Sequence, residues 1–126
     1  MKYIILFIVV VAFIWLGGCY YDSEESLYPQ ISNSCDTVNV SFGGTTKDIL
    51  QASCLTCHSS SNAAALGGAI RLENYSDLII QVNNGKLMGA IRHEPGYSAM
   101  PQGGGKLSDC EIIQLQAWIN GGALNN

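Results

Sequence analysis

Basic residues are scarce in this 126-residue chain, which has six Lys and Arg against ten Asp and Glu and a formal net charge of −4. A protein that binds nucleic acid needs a basic face, so this balance argues against nucleic acid as a partner. Only 13% of the residues are charged, but 48% are hydrophobic, which excludes an intrinsically disordered chain. The length also leaves no room for two full domains.

The N-terminal segment has the composition of an export signal. Lys2 is the only charged residue before Asp22, and residues 4–16 form an unbroken apolar run of 13 residues. That run suits a secretory signal and is shorter than the ~20 residues that span a bilayer. It ends in the sequence LGGC, which resembles the lipobox of bacterial lipoproteins and implies cleavage before Cys19. An uncleaved membrane anchor with an incidental Cys is the alternative.

Both interpretations place the remaining chain outside the cytoplasm, where disulfides persist. The lipobox resemblance implies acyl chains on Cys19, which would hold the protein on a bacterial membrane, on the periplasmic side, without spanning it. Residues 19–40 are acidic, rich in Ser and interrupted by Pro29, with no helical period. We therefore expect a cleaved signal over residues 1–18, a tether over residues 19–40 and a folded domain over residues 41–126.

One short motif carries the chemistry. The sequence CLTCH, from Cys54 to His58, has the C-x-x-C-H spacing of a haem c attachment site. Two thiols at this spacing add to the two vinyl groups of one porphyrin edge, and the adjacent His supplies a nitrogen ligand to iron. A redox dithiol would need a βαβ context, and a structural zinc site would need a second close pair of ligands. A disulfide between Cys54 and Cys57 would be strained. One covalent haem c is therefore the expected cofactor.

Iron in an electron carrier takes a second axial ligand, and three downstream side chains can supply it. Met100 lies in the sequence GYSAMPQGGG, whose Gly and Pro residues suit a loop over the far face of a haem. Met88 lies in an apolar stretch typical of a core, and His93 is flanked by charged residues typical of a surface. Met100 is the expected distal ligand, with His93, Met88 or no ligand as alternatives.

These features together resemble a small bacterial class I cytochrome c. The resemblance rests on the C-x-x-C-H motif, the Met100-Pro101 pair in its Gly-rich loop, and a final helix ending in Trp118-Ile-x-x-Gly. It implies an all-α fold of about four helices round one haem, with little or no sheet. It also implies His58 as proximal ligand, Met100 as distal ligand and Trp118 packed near the haem edge. Plain core packing is the alternative for Trp118.

The chain departs from this family at one point. Many relatives have a Pro soon after the motif, whose carbonyl orients the proximal His, but this chain has no Pro between His58 and Pro95. We therefore expect another carbonyl, within residues 59–68, to take that role.

Local signals predict helices on both sides of the motif. Thr45 or Thr46 is expected to cap a helix that begins near Lys47 and delivers both Cys to the porphyrin. Further helices are predicted over residues 77–82, after a Ser76 cap, and over Lys86–Arg92.

The last helix has the strongest signals. Ser108 and Glu111 form a capping box, and Gly121-Gly122 is a stop signal. Between them, four apolar residues recur at helical spacing: Ile112, Leu115, Trp118 and Ile119.

Two Cys remain once the lipid and haem sites are assigned. Cys35 and Cys110 form an even pair in an oxidising compartment, so we predict a disulfide that pins the tether to the last helix. Two free thiols are the alternative.

A haem with both axial positions filled leaves no open site for substrate, so the expected function is one-electron transfer rather than catalysis. The acidic chain favours redox partners with a basic docking face. Two alternatives are a haem-based gas or redox sensor and a small peroxidase-like protein, each with a displaceable distal ligand.

Overall fold

The computed structural model describes residues 35–126, so the predicted signal segment, the lipid site at Cys19 and the tether up to residue 34 lie outside it. Within this range the chain is all-α, with no strand, which confirms the expected fold class. Six α-helices are present rather than about four, because two of them are single turns. The helices are α1 (Lys47–Ser53), α2 (Leu55–His58), α3 (Ala63–Leu66), α4 (Tyr75–Asn83), α5 (Lys86–Arg92) and α6 (Asp109–Asn120).

Helix α1 begins at Lys47, as predicted, but the way the chain enters it differs from the prediction. A π-helical turn, Phe42–Thr46, precedes the helix, and its cap is Ser41, whose Oγ accepts a hydrogen bond of 3.1 Å from the amide of Gly44. Thr46 has helical dihedral angles, φ −62° and ψ −45°, rather than the extended backbone of a capping residue. It is fully buried, and its hydroxyl has no hydrogen-bond partner among the described residues. The predicted cap at Thr45 or Thr46 is therefore wrong.

The cap predicted for the middle of the chain is also wrong. The helix begins at Tyr75, two residues before the predicted start, so Ser76 lies inside α4. The preceding residue, Asn74, has the extended backbone of a capping position, with ψ 147°. Its side chain donates to the hydroxyl of Ser60 instead of capping the helix. The next helix, Lys86–Arg92, has the predicted bounds.

The last helix is confirmed in detail. Ser108 Oγ accepts from the Glu111 amide at 3.3 Å, and the Glu111 carboxylate accepts from the Ser108 amide at 2.8 Å. This reciprocal pair satisfies two backbone donors that a helix start otherwise leaves unpaired. The helix ends at Asn120, directly before Gly121, as the predicted stop signal requires.

Helix α6 supplies buried residues to two hydrophobic clusters. One contains Leu50, Leu72, Leu78, Leu87, Trp118 and Ala123, and the other contains Ile49, Ile91, Leu107, Ile112 and Leu115. Trp118 is 3% exposed, and its indole nitrogen donates to the carbonyl of Leu124 at 2.9 Å. Burial of an aromatic ring of this kind contributes roughly 2–3 kcal/mol. Trp118 is therefore a core residue, and because Cys54 packs against the same cluster, its packing near a haem edge stays a prediction.

The N-terminal end of the described chain is tied to α6. Cys35 and Cys110 lie at disulfide distance, with Cα atoms 5.4 Å apart, which is the predicted pair. Gln114 on α6 also donates to the carbonyl of Asp36 at 3.0 Å. The compact unit begins at Cys35, so it includes the last residues of the predicted tether. No helix in the described range is long and apolar enough to cross a membrane.

Candidate functional site: the C-x-x-C-H segment and the Met100 loop

The C-x-x-C-H motif lies at a break between two helices. Cys54 has φ −122°, which separates α1 from α2, so one continuous helix does not deliver both thiols as predicted. The break is nevertheless well bonded. The Cys54 amide donates to Leu50 at 2.8 Å, and the Cys54 carbonyl accepts from the amides of Cys57 at 3.2 Å and His58 at 2.9 Å. Both thiols are free and half-buried. The backbone thus holds two thiols and an imidazole within one helical turn.

The environment of the first thiol is less polar than water. Cys54 packs against the cluster that contains Leu50 and Trp118. Burial, followed by the negative charge of Glu111, raises the pKa of the Cys54 thiol to about 11. Cys54 is therefore a neutral thiol at physiological pH in the haem-free chain.

The ring of His58 is held in one tautomer. Its Nδ1 lies 2.9 Å from the carbonyl oxygen of Ile70. A carbonyl oxygen can only accept, so Nδ1 carries the proton, and the lone pair of the neutral ring is on Nε2. A protein commonly orients a metal-binding imidazole in this way. The expectation of a carbonyl within residues 59–68 is therefore wrong, because the orienting group lies just beyond that segment.

The chain around Ile70 is fixed against the motif by further hydrogen bonds. The amide of Leu72 donates to the carbonyl of His58 at 2.9 Å, so both the ring and the backbone of His58 are bonded to this stretch. Ser60, two residues after His58, donates its amide hydrogen to the carboxylate of Glu73 at 2.7 Å. The hydrogen bonds from Ser60 lower the pKa of Glu73. We call residues 70–73 the proximal strap.

Gly67 allows the backbone to approach the imidazole closely. A Cβ atom at this position would lie 2.6 Å from the carbonyl oxygen of Cys57 and 2.8 Å from Nδ1 of His58. The first atom is backbone and the second is hydrogen-bonded to the Ile70 carbonyl, so neither can easily move aside. A side chain at residue 67 would therefore displace the ring that the proximal strap orients.

Met100 is held by a different part of the chain. Its amide donates to the carbonyl of Ala90 on α5 at 3.1 Å, and its side chain is half-buried. Met88 is also half-buried but packs against the second hydrophobic cluster, as its core interpretation predicts. His93 is exposed, as expected of a surface residue, and its Nε2 lies 3.0 Å from the carbonyl oxygen of Met100.

Two groups that position the side chains of the candidate site were not predicted from the sequence. The Ile70 carbonyl has no signal in the sequence, because every residue has a carbonyl. Gly67 does have a signal in the Gly67-Gly68 pair, but a pair of glycines equally suits a turn that ends a helix. No group of three or more His, Cys, Asp or Glu side chains that could hold a metal ion is found among residues 35–126.

The residues present fit a covalently attached haem. Two free thiols have the required spacing, and the imidazole beside them has its proton on the nitrogen away from a metal. Gly67 packs so closely against that imidazole that a Cβ atom there would lie 2.8 Å from Nδ1. In comparisons with models of protein families, curated proteins and solved structures, this chain has no significant match.

Proposed function

We propose that this chain is a one-electron carrier of the small class I cytochrome c type, with one haem held by Cys54 and Cys57. The observation that carries the proposal is the hydrogen bond from Nδ1 of His58 to the Ile70 carbonyl beside two free thiols. A bound haem c supplies a reversible one-electron couple at its iron.

Three side chains have distinct roles in this proposal. His58 offers the lone pair of Nε2 as proximal ligand, while the Ile70 carbonyl keeps the ring in the required tautomer. Met100 offers its thioether as distal ligand, which raises the reduction potential relative to a second His. If His58 and Met100 both bound the iron, a haem here would have no open site for a substrate, so the proposed role is that of a carrier and not of an enzyme.

The proposed location follows from the sequence and the disulfide. The pairing of Cys35 with Cys110 suits an oxidising compartment outside the cytoplasm. A lipid anchor at Cys19 would confine the domain to a membrane surface. The net charge of −4 favours redox partners with a basic docking face, so we expect the rate of electron transfer to fall as ionic strength rises.

Haem staining of a denaturing gel tests the attachment directly. The full chain is expressed in cells competent for cytochrome c maturation, together with the Cys54→Ser/Cys57→Ser variant. The Cys35→Ser/Cys110→Ser variant is the matched control, since it also removes two Cys but leaves the motif intact. We expect haem to stay with the wild-type and control chains and to be absent from the motif variant. An unstained wild-type chain would overturn the proposal and return Cys54 and Cys57 to a dithiol or metal site.

Optical spectra test the electron-carrier function. We expect a low-spin spectrum with the weak ferric Met–sulfur band, and resistance of the reduced protein to CO. Rapid CO binding would instead favour a sensor, and a five-coordinate ferric haem that reacts with peroxide would favour a peroxidase-like protein.

A further inference from the structure

The loop that ends at Met100 is hydrogen-bonded to the C-terminal end of α5, and we infer that the ring of His93 helps to hold it there. We call the hydrogen bond from His93 to the Met100 carbonyl the clamp. We propose that His93 is a positioning residue that holds the Met100 backbone through its ring, and that it is not an axial ligand. The inference rests on the proposed function, because it assigns a role to His93 toward the distal ligand. It is carried by the 3.0 Å contact between His93 Nε2 and the Met100 carbonyl oxygen.

The hydrogen bond fixes the state of the His93 ring. Its partner is a carbonyl oxygen, which only accepts, so Nε2 of His93 carries a proton and donates. A nitrogen that donates to a carbonyl has no lone pair free for iron. The same atom therefore cannot hold Met100 and ligate the metal at once.

The backbone of His93 directs the ring toward Met100. His93 follows the last residue of α5 with φ 58° and ψ 41°, a left-handed conformation that non-glycine residues adopt only occasionally. His is among the side chains enriched in this region, and the conformation reverses the chain where the loop over residues 93–100 begins. We call this segment the Met100 loop.

The two ends of the Met100 loop are joined at one carbonyl. Ala90 accepts from the amide of His93 at 3.2 Å and from the amide of Met100 at 3.1 Å. The ring of His93 adds a third bond, to the carbonyl of Met100. Both backbone polar groups of Met100 are thus bonded to the end of α5.

Packing inside the loop supports this arrangement. Tyr97 lies against Gly89 of α5 so closely that a Cβ at Gly89 would be 2.5 Å from the aromatic ring. The loop therefore rests on the same helix that supplies the hydrogen bonds at its ends. With the Met100 carbonyl released, the residue keeps only its amide bond, and the thioether can swing away from a fixed position.

Three substitutions at residue 93 separate the effect of the ring N–H donor from the effect of the left-handed backbone conformation. His93→Ala removes the donor and keeps a Cβ at the left-handed position, and His93→Gly removes the donor and any backbone strain. His93→Gln keeps a side-chain N–H at similar reach. Glu94→Gln is the control, since it changes an exposed neighbour whose side chain contacts Arg92 at 3.6 Å.

The first measurement is a titration of the ferric protein with imidazole, in which loss of the Met–sulfur band reports binding. We expect His93→Ala and His93→Gly to bind imidazole about fivefold to tenfold more tightly than wild type, as loss of one hydrogen bond implies. Haem content should be unchanged, and His93→Gln and Glu94→Gln should resemble wild type. An effect in His93→Ala alone would assign it to backbone strain and overturn the proposal. A ferric spectrum unchanged by Met100→Ala but altered by His93→Gly would make His93 the ligand and overturn it as well.

The second measurement does not depend on haem, so it separates this inference from the proposed function. Hydrogen exchange is followed at the Met100 amide in the purified full chain, whatever its haem content. We expect protection in wild type and in His93→Gln, and at least partial loss in His93→Ala and His93→Gly. If the wild-type amide is unprotected, or if His93→Gly is as protected as wild type, the clamp does not exist.

Discussion

The proximal and distal sides of the proposed site are held in different ways. His58 has its ring and its carbonyl bonded to the proximal strap, and Gly67 packs against the ring. Met100 lies at the end of the Met100 loop, where its backbone is hydrogen-bonded to α5. The glycine-rich segment that follows it is exposed. The hydrogen bonds therefore hold the side chain of the proposed proximal ligand, His58, but only the backbone of the proposed distal ligand, Met100. Attachment would then depend on the proximal side, and the reduction potential and ligand exchange on the distal side.

The largest expected difference is between the two ligand variants. His58→Ala should damage haem incorporation itself, because it removes the imidazole from the attachment motif. Met100→Ala should leave haem attached but open the distal position and lower the potential. Haem staining, the ferric spectrum and potentiometric titration measure these outcomes. Equal haem loss in both variants would contradict the proposed division of roles, and an unchanged ferric spectrum in Met100→Ala would move the distal ligand to His93 or Met88.

The disulfide should stabilise the whole unit and so affect both sides through global stability. It closes a sequence separation of 75 residues, which in a chain-entropy treatment contributes about 4 kcal/mol at most. We expect Cys35→Ser/Cys110→Ser to lower the free energy of unfolding by about 2–4 kcal/mol while haem remains attached. Denaturant titration of wild-type and variant protein measures the change. Two Cys labelled by an alkylating reagent in unreduced, denatured wild type would show that the bond is absent.

A smaller effect is expected from a methyl group on the proximal side. Gly67→Ala places a Cβ 2.6 Å from the Cys57 carbonyl oxygen, so the backbone or the His58 ring must shift. Overpacking of this kind costs about 1–3 kcal/mol and should also reduce haem incorporation. Gly105→Ala is the matched control in the distal segment, where a Cβ would meet no atom within 4 Å. Similar stability and haem content in the two variants would remove Gly67 from the site.

Some parts of the fold depend on local signals and could be predicted from the sequence. A few neighbouring residues determine the capping box at Ser108 and the bounds of Lys86–Arg92, and the structure confirms both. The disulfide pair followed from counting the Cys that remained. The cap of α1 could not be predicted in this way, because the buried position of Thr46 depends on packing with distant parts of the chain.

The same distinction applies to the candidate site. The identities of Cys54, Cys57 and His58 are visible in a five-residue motif. The group that orients His58 is a backbone carbonyl 12 residues away, and no residue type marks it. The bond from His93 to Met100 likewise requires a left-handed residue whose conformation the loop determines. Residue types thus mark the candidate ligands, whereas tertiary contacts determine how these side chains are held.

The smallest expected effect is pH-dependent and belongs to the proximal strap. Hydrogen bonds from Ser60 lower the pKa of Glu73 in the folded chain, so the ionised carboxylate stabilises the fold. This contribution is fully present above the pKa of Glu73 in the unfolded chain and is lost as pH falls through the lowered folded value. Glu73→Gln should therefore have a lower Tm than wild type near neutral pH and a similar Tm in acid. Glu94→Gln removes the same charge on the distal side and controls for net charge. If the Tm difference between wild type and Glu73→Gln were constant from neutral to acid pH, the strap would not be held by the charge of Glu73.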